Sequence, residues 1–350
     1  MTNEIRVGLI GYGMAGRVFH APVITSVPDL KLAKIVQRRA DDSRERYPWV
    51  EVVRDAAAIF ADPEIDLVVI TTPNDSHFDL ARNALLAHKH VVVEKPFTNT
   101  SVEAQQLINL AHQQKRILSA FQNRRWDGDF LTVKQILNGK LLGRLVEYES
   151  HFDRFRNLMQ PTWREEARPG SGILFDLGSH LIDQAQVLFG LPQLITADLR
   201  VQRDFSRITD NFELILHYDN LKVTLKAGML AREPGPRFVL HGTAGSFVKY
   251  GLDPQEEDLK QGLTPAAPHW GEEPKVLWGK LNSEISGVHV EGNIETIAGC
   301  YQAYYQNIAD AIHGRADLIV KAEEAMNTIR IIELAIQSSE QQRTLRYSLT

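Results

Sequence analysis

The chain has 350 residues, 43% of them hydrophobic and 24% charged, with a formal net charge of -5. That composition excludes a disordered polymer and leaves enough chain for two domains, each with a core of its own. The acidic balance, with no run of clustered Lys and Arg, excludes a nucleic-acid binder driven by phosphate attraction.

No run of about 18 apolar residues occurs, so no membrane span is expected, and the N-terminus lacks the basic start and apolar segment of a signal peptide. Cys300 is the sole cysteine, which excludes an intramolecular disulfide and fits a reducing, cytoplasmic compartment. The twelve histidines are scattered without the spacing of a zinc site, so no metal is expected.

Ile5 to Ile10 reads as an apolar strand that runs into Gly11-Tyr12-Gly13-Met14-Ala15-Gly16, after which Arg17 to Ile24 can open a helix. This is G-x-G-x-x-G between a strand and a helix, the context in which the pattern signals dinucleotide binding. Gly11 permits the tight turn, Gly13 lets backbone approach a pyrophosphate, and Gly16 lets helix and strand pack closely. Glycine turns from strand to helix also occur in folds that bind no nucleotide, and the strands that follow decide between the two.

Leu30 to Val36 is the second strand, and the residues after it discriminate between nicotinamide cofactors. An acid there binds the ribose 2'-hydroxyl, whereas arginine accommodates a 2'-phosphate. The strand ends in Gln37-Arg38-Arg39, with Asp41 and Asp42 falling later in a turn, so the pattern favours NADP over NAD. Solvated loop charge is the other reading of Arg38 and Arg39.

Strands follow at Val52 to Val53 and Leu67 to Ile70, the latter ending in Thr71-Thr72-Pro73-Asn74, with helical spacing at Ala56 to Phe60 and His77 to Ala87. Thr72, Pro73 and Asn74 can wall the cofactor site or serve only as turn residues. His77 is expected on a helix surface. In His90 to Pro96, HVVVEKP, a buried strand runs into Glu94, Lys95 and Pro96, which sets Lys95 beyond a carboxyl end, where open parallel sheets bind ligands. The competing reading is a Glu-Lys pair with Pro96 opening the next helix. Ile117 to Phe121 is the sixth strand. The alternating rhythm stops after it, so residues 1–122 form one doubly wound α/β domain and 123–350 a second.

In the second part, Leu145 to Arg156, Leu194 to Arg203, Phe212 to Tyr218, Lys222 to Leu230 and Arg237 to His241 read as successive strands of a largely antiparallel open sheet. Its uncovered face is expected to be apolar and to serve self-association. Gly251 to Val288, rich in Pro, Gly and acidic residues, reads as a long loop, and Tyr301 to Ile312 and Ala322 to Ser338 as helices. Between the strands, Asp176 and His180 are four apart on one helix face, with Asp183 three further on. A carboxylate beside an imidazole suits acid/base work; a histidine on an apolar helix can equally be a satisfied core residue.

Gly11-x-Gly13-x-x-Gly16, Glu94-Lys95-Pro96 and Asp176-x-x-x-His180-x-x-Asp183, in this order and over essentially the full length, resemble the glucose-fructose oxidoreductase/inositol dehydrogenase family. Phe121 to Lys134, Trp163-Arg164 and Tyr250 to Glu257 look like its NADP-dependent scyllo-inositol dehydrogenase branch. The resemblance implies a cofactor in the N-terminal domain, a polyol or sugar between domains, and Lys95 and His180 at the reacting hydroxyl with Asp176 beside them. It adds Asn123, Trp163 and Arg164 to the cofactor set and Arg154 to the substrate set. The expected activity is an NADP-dependent interconversion of a ring alcohol and its ketone. Rivals are a keto-sugar or anhydrosugar reductase, redox-assisted glycosidase chemistry, and a sugar sensor that binds dinucleotide without turnover. A homodimer or homotetramer is expected.

Overall fold

The protein, in a computed structural model, is described over residues 4–159 and 165–348. It divides into two compact units: Met1–Trp126 with Pro254–Gly271 and Cys300–Met326, and Asp127–Asp253 with Glu272–Gly299 and Asn327–Thr350.

In the first unit β1 (Ile5–Ile10), β2 (Leu30–Val36), β3 (Glu51–Val53), β4 (Leu67–Ile70), β5 (His90–Val93) and β6 (Leu118–Ala120) form a parallel sheet in the order β3-β2-β1-β4-β5-β6. Parallel pairing requires crossovers that cover both faces, which is why the central strands are continuous apolar runs. Leu67, Val69 and Val92 point to one layer with Val23, Tyr304 and Ile308, while Val68, Ile70 and Val93 point to the other with Ala84, Leu107 and Ile108. The strand order reverses between β1 and β4, which makes the carboxyl ends of these two strands the switch point at which open parallel sheets bind ligands.

One competing reading and one expectation for this unit fail. Pro96 does not open a helix: the next one, Ser101–Gln114, starts after Thr100, whose hydroxyl accepts from Glu103 N while the Glu103 carboxylate accepts from Thr100 N. This capping box, Thr-x-x-Glu, fixes the N-cap four residues beyond Pro96. His77 is not on a surface either, being 1% exposed, with Nδ1 2.9 Å from Pro96 O and Nε2 2.9 Å from Thr72 O. A neutral imidazole carries one N–H, so it donates to one of these two carbonyls, and that hydrogen bond offsets part of the cost of burying the ring.

In the second unit β7 (Leu145–Asp153), β8 (Leu194–Arg200), β9 (Asn211–Tyr218), β10 (Leu221–Gly228), β11 (Phe238–Gly242), β12 (Gly245–Lys249), β13 (Gly279–Ile285), β14 (Val288–Ile294) and β15 (Leu345–Arg346) form a sheet in the order β14-β13-β12-β11-β7-β10-β9-β8-β15. It is antiparallel except where β7 meets β10. Tyr148, Phe152, Leu214, Leu225 and Phe238 face Phe130, Val133, Leu181, Ile182 and Ile332 on the helices Gly128–Asn138, Ser179–Phe189 and Ala322–Gln341.

The opposite face is not the apolar surface expected. With a period of two, β7 presents Glu147, Glu149, His151 and Asp153 there, and β10 and β9 add Lys222, Lys226, Glu213 and His217. Lys222 pairs with Glu147, Lys226 with Glu213 at 3.4 Å, and His151 lies 3.1 Å from Glu149 and 3.7 Å from Asp153. Gly251 to Val288 is not one loop: it contains the helix Gln255–Lys260 and the strand β13. In β13 Leu281 and Ser283 are buried while Lys280, Asn282 and Glu284 are exposed, a half-wet strand that Pro, Gly and acidic neighbours conceal.

Candidate active site

In the first unit, the chain leaves β1 at Gly11, where φ is +101° and an added Cβ would lie 3.1 Å from Thr71 Oγ1 and 3.2 Å from Thr71 O. Only glycine suits that left-handed backbone. Thr71 in turn donates its hydroxyl to Gly11 O at 2.8 Å, so the end of β4 clamps the turn that leaves β1. At Gly16 a side chain would strike Gly11 O, whereas at Gly13 a Cβ would meet nothing within 4 Å. Gly13 therefore borders open space, as backbone that must approach a bulky diphosphate requires. Met14 is 47% exposed beside it, Tyr12 and Ala15 are partly buried, and the helical run begins at Ala15. Residues Gly11 to Gly16 thus fit a dinucleotide.

The loop after β2 is built so that its acids are occupied. Gln37, itself buried, donates its amide to Asp42 and accepts from Ser43 N at 3.2 Å. Arg54 donates to Gln37 O at 2.9 Å and to Ala40 O at 2.8 Å, and pairs with Asp41 at 2.9 Å. Arg38 and Arg39 are left exposed.

At the carboxyl ends of β4 and β5, Thr72 shares a 2.7 Å hydrogen bond with Ser76, and the buried Asn74 donates to Asn99 at 3.0 Å. Pro73 precedes the short helical turn Asn74–Ser76. Lys95 is partly exposed and follows Glu94, which is 9% exposed. Glu94 Oε2 accepts from Lys95 N at 2.7 Å, and Oε1 lies 3.1 Å from His20 Nε2. Burial pushes the Glu94 carboxyl up, but the hydrogen bond from His20 and the positive charge nearby outweigh it and hold the group below its ordinary range. Asn123 is buried just past β6, in a turn where Arg124 pairs with Glu256 and Arg125 with Glu324 at 2.9 Å.

In the second unit, Asp176 sits in the π-wound segment Leu174–Gly178 and His180 in the α-helix Ser179–Phe189 that continues it. His180 is 4% exposed, Asp183 is fully buried and Asp176 partly exposed. The segment is pinned where Ile173 N donates to Thr209 O at 2.8 Å, after Gly172 with φ +93°. One turn past His180, Gln184 accepts from Arg237 at 2.9 Å, and that guanidinium is sandwiched between the rings of Phe152 and Phe238, each 4.1 Å away, with Asp129 at 3.3 Å. Arg154 lies just past β7, donating its N–H to Gly228 O at 2.9 Å, and Met229 N donates to Asp210 O at 3.1 Å. The end of β10 thereby gathers Arg154 and the segment that leads to Asp176 at one end of the sheet's central strands. Trp163 and Arg164 lie outside the described residues.

Four residues with evident roles are absent from the sequence-level set: Thr71, Gln37, Arg54 and His20. Thr71 adjoins residues that were singled out, and His20 lies four after Gly16 on the buried face of its helix, so for these two a signal exists. Gln37 and Arg54 work through loop closure that no local pattern reports.

Residues 5–122 match the family described as "Oxidoreductase family, NAD-binding Rossmann fold", and residues 133–347 the "Oxidoreductase family, C-terminal alpha/beta domain". The chain is 47% identical to the uncharacterized oxidoreductase YdgJ of Escherichia coli (strain K12), over 99% of each chain. It is 39% identical to the scyllo-inositol 2-dehydrogenase (NADP(+)) IolW of Bacillus subtilis (strain 168), over 98% of this chain and 96% of the other. Among solved structures, the oxidoreductase yvaA from Bacillus subtilis superposes with a TM-score of 0.96 at 38% identity, covering 99% of both chains.

Proposed function

From a chain that belongs to the glucose-fructose oxidoreductase/inositol dehydrogenase family, and is thereby an NAD(P)-dependent dehydrogenase acting on CH–OH groups, we propose an NADP-dependent enzyme that interconverts a ring alcohol of a cyclic polyol or sugar with its ketone. The first unit carries most of the cofactor set and Lys95, and the second unit carries the other substrate residues, with Trp163 and Arg164 completing the cofactor set. The observation that carries the reaction is Lys95 at the carboxyl end of β5, in the same unit as the glycine turn. For NADP the support is the β2 loop, where Asp41 and Asp42 are both engaged while Arg38 and Arg39 are exposed. For a scyllo-inositol-like polyol it is the named activity of the relative from Bacillus subtilis.

Gly11 to Gly16 hold the diphosphate, Arg38 and Arg39 the 2'-phosphate, and Thr72, Pro73, Asn74, Glu94, Asn123, Trp163 and Arg164 complete the cofactor's walls. When bound, the dinucleotide supplies the two-electron acceptor. Neutral His180 takes the hydroxyl proton as the alcohol is oxidised, and the Asp176 carboxylate stabilises the imidazolium that results. The Lys95 ammonium donates to the same oxygen and stabilises its developing charge; Lys95 as base is the converse assignment. Arg154 contributes donors to the remaining hydroxyls.

Absorbance at the NADPH wavelength during incubation with inositols and aldoses, each with NADP and with NAD, tests this reading. Turnover with scyllo-inositol or a related polyol, faster with NADP, is expected. Preference for NAD would overturn the cofactor assignment. NADPH binding without turnover of any polyol, sugar or keto form would point instead to a sensor.

A further inference from the structure

Beneath Lys95 a buried polar chain runs through groups that the reaction as read so far does not use. Tyr305 Oη lies 2.6 Å from His20 Nδ1, and His20 Nε2 lies 3.1 Å from Glu94 Oε1. Glu94 Oε2 accepts the Lys95 N–H at 2.7 Å. His20 and Tyr305 are both 0% exposed. An ionised carboxylate only accepts, so Nε2 carries the imidazole proton, Nδ1 is an acceptor, and the Tyr305 hydroxyl donates to it. Every polar atom in the chain is then used once.

Packing removes the freedom to rearrange. The His20 ring is 4.1 Å from that of Phe121 and 6.0 Å from that of Tyr305, and Tyr305 is 5.7 Å from Phe121. The three polar groups come from the helical run behind the glycine turn, from the helix Gln302–Ile312 and from the end of β5. A buried carboxylate in an apolar layer is costly, and a core built for stability alone could omit it. Here the charge stands next to the residue assigned to the substrate oxygen.

We propose that His20 and Tyr305 are positioning residues for Lys95: they fix the Glu94 carboxylate through Oε1, and Glu94 through Oε2 fixes the Lys95 backbone and sets its carboxylate beside the Lys95 side chain. The proposal rests on the reading of Lys95 as a group that touches substrate.

The test uses the full-length protein with the substrate that turns over fastest in the polyol panel. Tyr305→Phe should lower kcat by about tenfold and His20→Leu by about a hundredfold, the range that loss of near-ångström positioning costs. KM for the polyol should stay within about twofold, as should NADPH affinity by fluorescence titration, because the affected interaction acts in turnover. His20→Gln, which keeps a donor toward Glu94, should recover about tenfold over His20→Leu. In a Lys95→Met background, His20→Leu should change residual turnover by less than about twofold, since residues acting through one another are not additive.

Near-wild-type kcat in both single variants would overturn the proposal. So would equal losses in both backgrounds, or losses that follow thermal stability without rescue by His20→Gln. Lys95→Met separates the two levels: if it leaves turnover intact, or if the wild type turns over nothing, the assignment of Lys95 falls and the positioning role with it. If it abolishes turnover while His20→Leu leaves kcat near wild type, the positioning role alone falls.

Discussion

Arg38 and Arg39 stand exposed at the end of β2 while the neighbouring acids are tied down by Gln37 and Arg54. A guanidinium meeting a phosphate gains a charge-assisted, bidentate contact that a ribose hydroxyl cannot match. Arg38→Ala should therefore weaken NADP binding by more than tenfold, on the order of 1.5 kcal/mol or more, and leave NAD nearly unaffected. Parallel titrations with the two cofactors read this out, and equal losses would contradict it. For His180 the expected effect is on turnover: a positioned acid/base supplies about 10² to 10⁴ in rate, so His180→Ala should lower kcat by that order with NADP affinity unchanged. Near-wild-type kcat in that variant would make His180 a core histidine and end its assignment.

At the scale of elements, the β5–β6 edge shows how a strand junction becomes sensitive to pH. His90 opens β5, and its Nδ1 accepts the Ile117 N–H at 3.0 Å while Val91 N donates to Ile117 O at 2.9 Å. Burial, helped by the nearby Arg116 charge, pushes the His90 imidazole down from 6.5 to about 4. The folded value lies below the unfolded one, so this contribution to stability is fully present above about pH 6.5 and is lost as pH falls toward about 4. The loss amounts to about 3 kcal/mol. Burial pushes His77 in the same direction, against the pull of its two carbonyls, so its contribution has the same sign. Denaturant unfolding between pH 7 and pH 4 should show the decline, and His90→Asn, which keeps an acceptor near the Nδ1 position, should flatten part of it. An unchanged slope in that variant would place the sensitivity elsewhere.

For the whole molecule, the nine-stranded sheet has one face that no helix among the described residues is seen to cover, and that face is lined mainly with charge, with Ile215, Val239 and Val248 among the charged side chains. We propose that it is the surface through which copies associate, with charge pairs setting the register. Such an interface is screened by salt, since the Debye length falls from about 10 Å at 0.1 M to 3 Å at 1 M. Light scattering at low ionic strength should give a mass that is a multiple of 39.5 kDa, falling as salt is added. A 39.5 kDa species at both salt concentrations would exclude self-association. An assembly indifferent to salt would place the interface on an apolar surface elsewhere.

The parallel sheet was legible because its strands are short apolar runs ended by Gly, Thr-Pro or Glu-Lys-Pro, signals that act over a few residues and need no tertiary partner. Gly11, Gly13 and Gly16 were legible for the same reason, since steric demands on a turn belong to the backbone at that point. Helices Ser101–Gln114 and Gly128–Asn138 and strands β12 to β14 were not picked out, their faces being half polar and defined by what covers them. Tertiary structure alone decided that His77 would be buried between two carbonyls, that Gln37 and Arg54 would occupy the acids after β2, and that Tyr305 would reach His20 across 285 positions of sequence. Each of these follows from a rule that sequence patterns do not encode: a polar group removed from water must find its partner, and that partner is chosen by proximity in the fold.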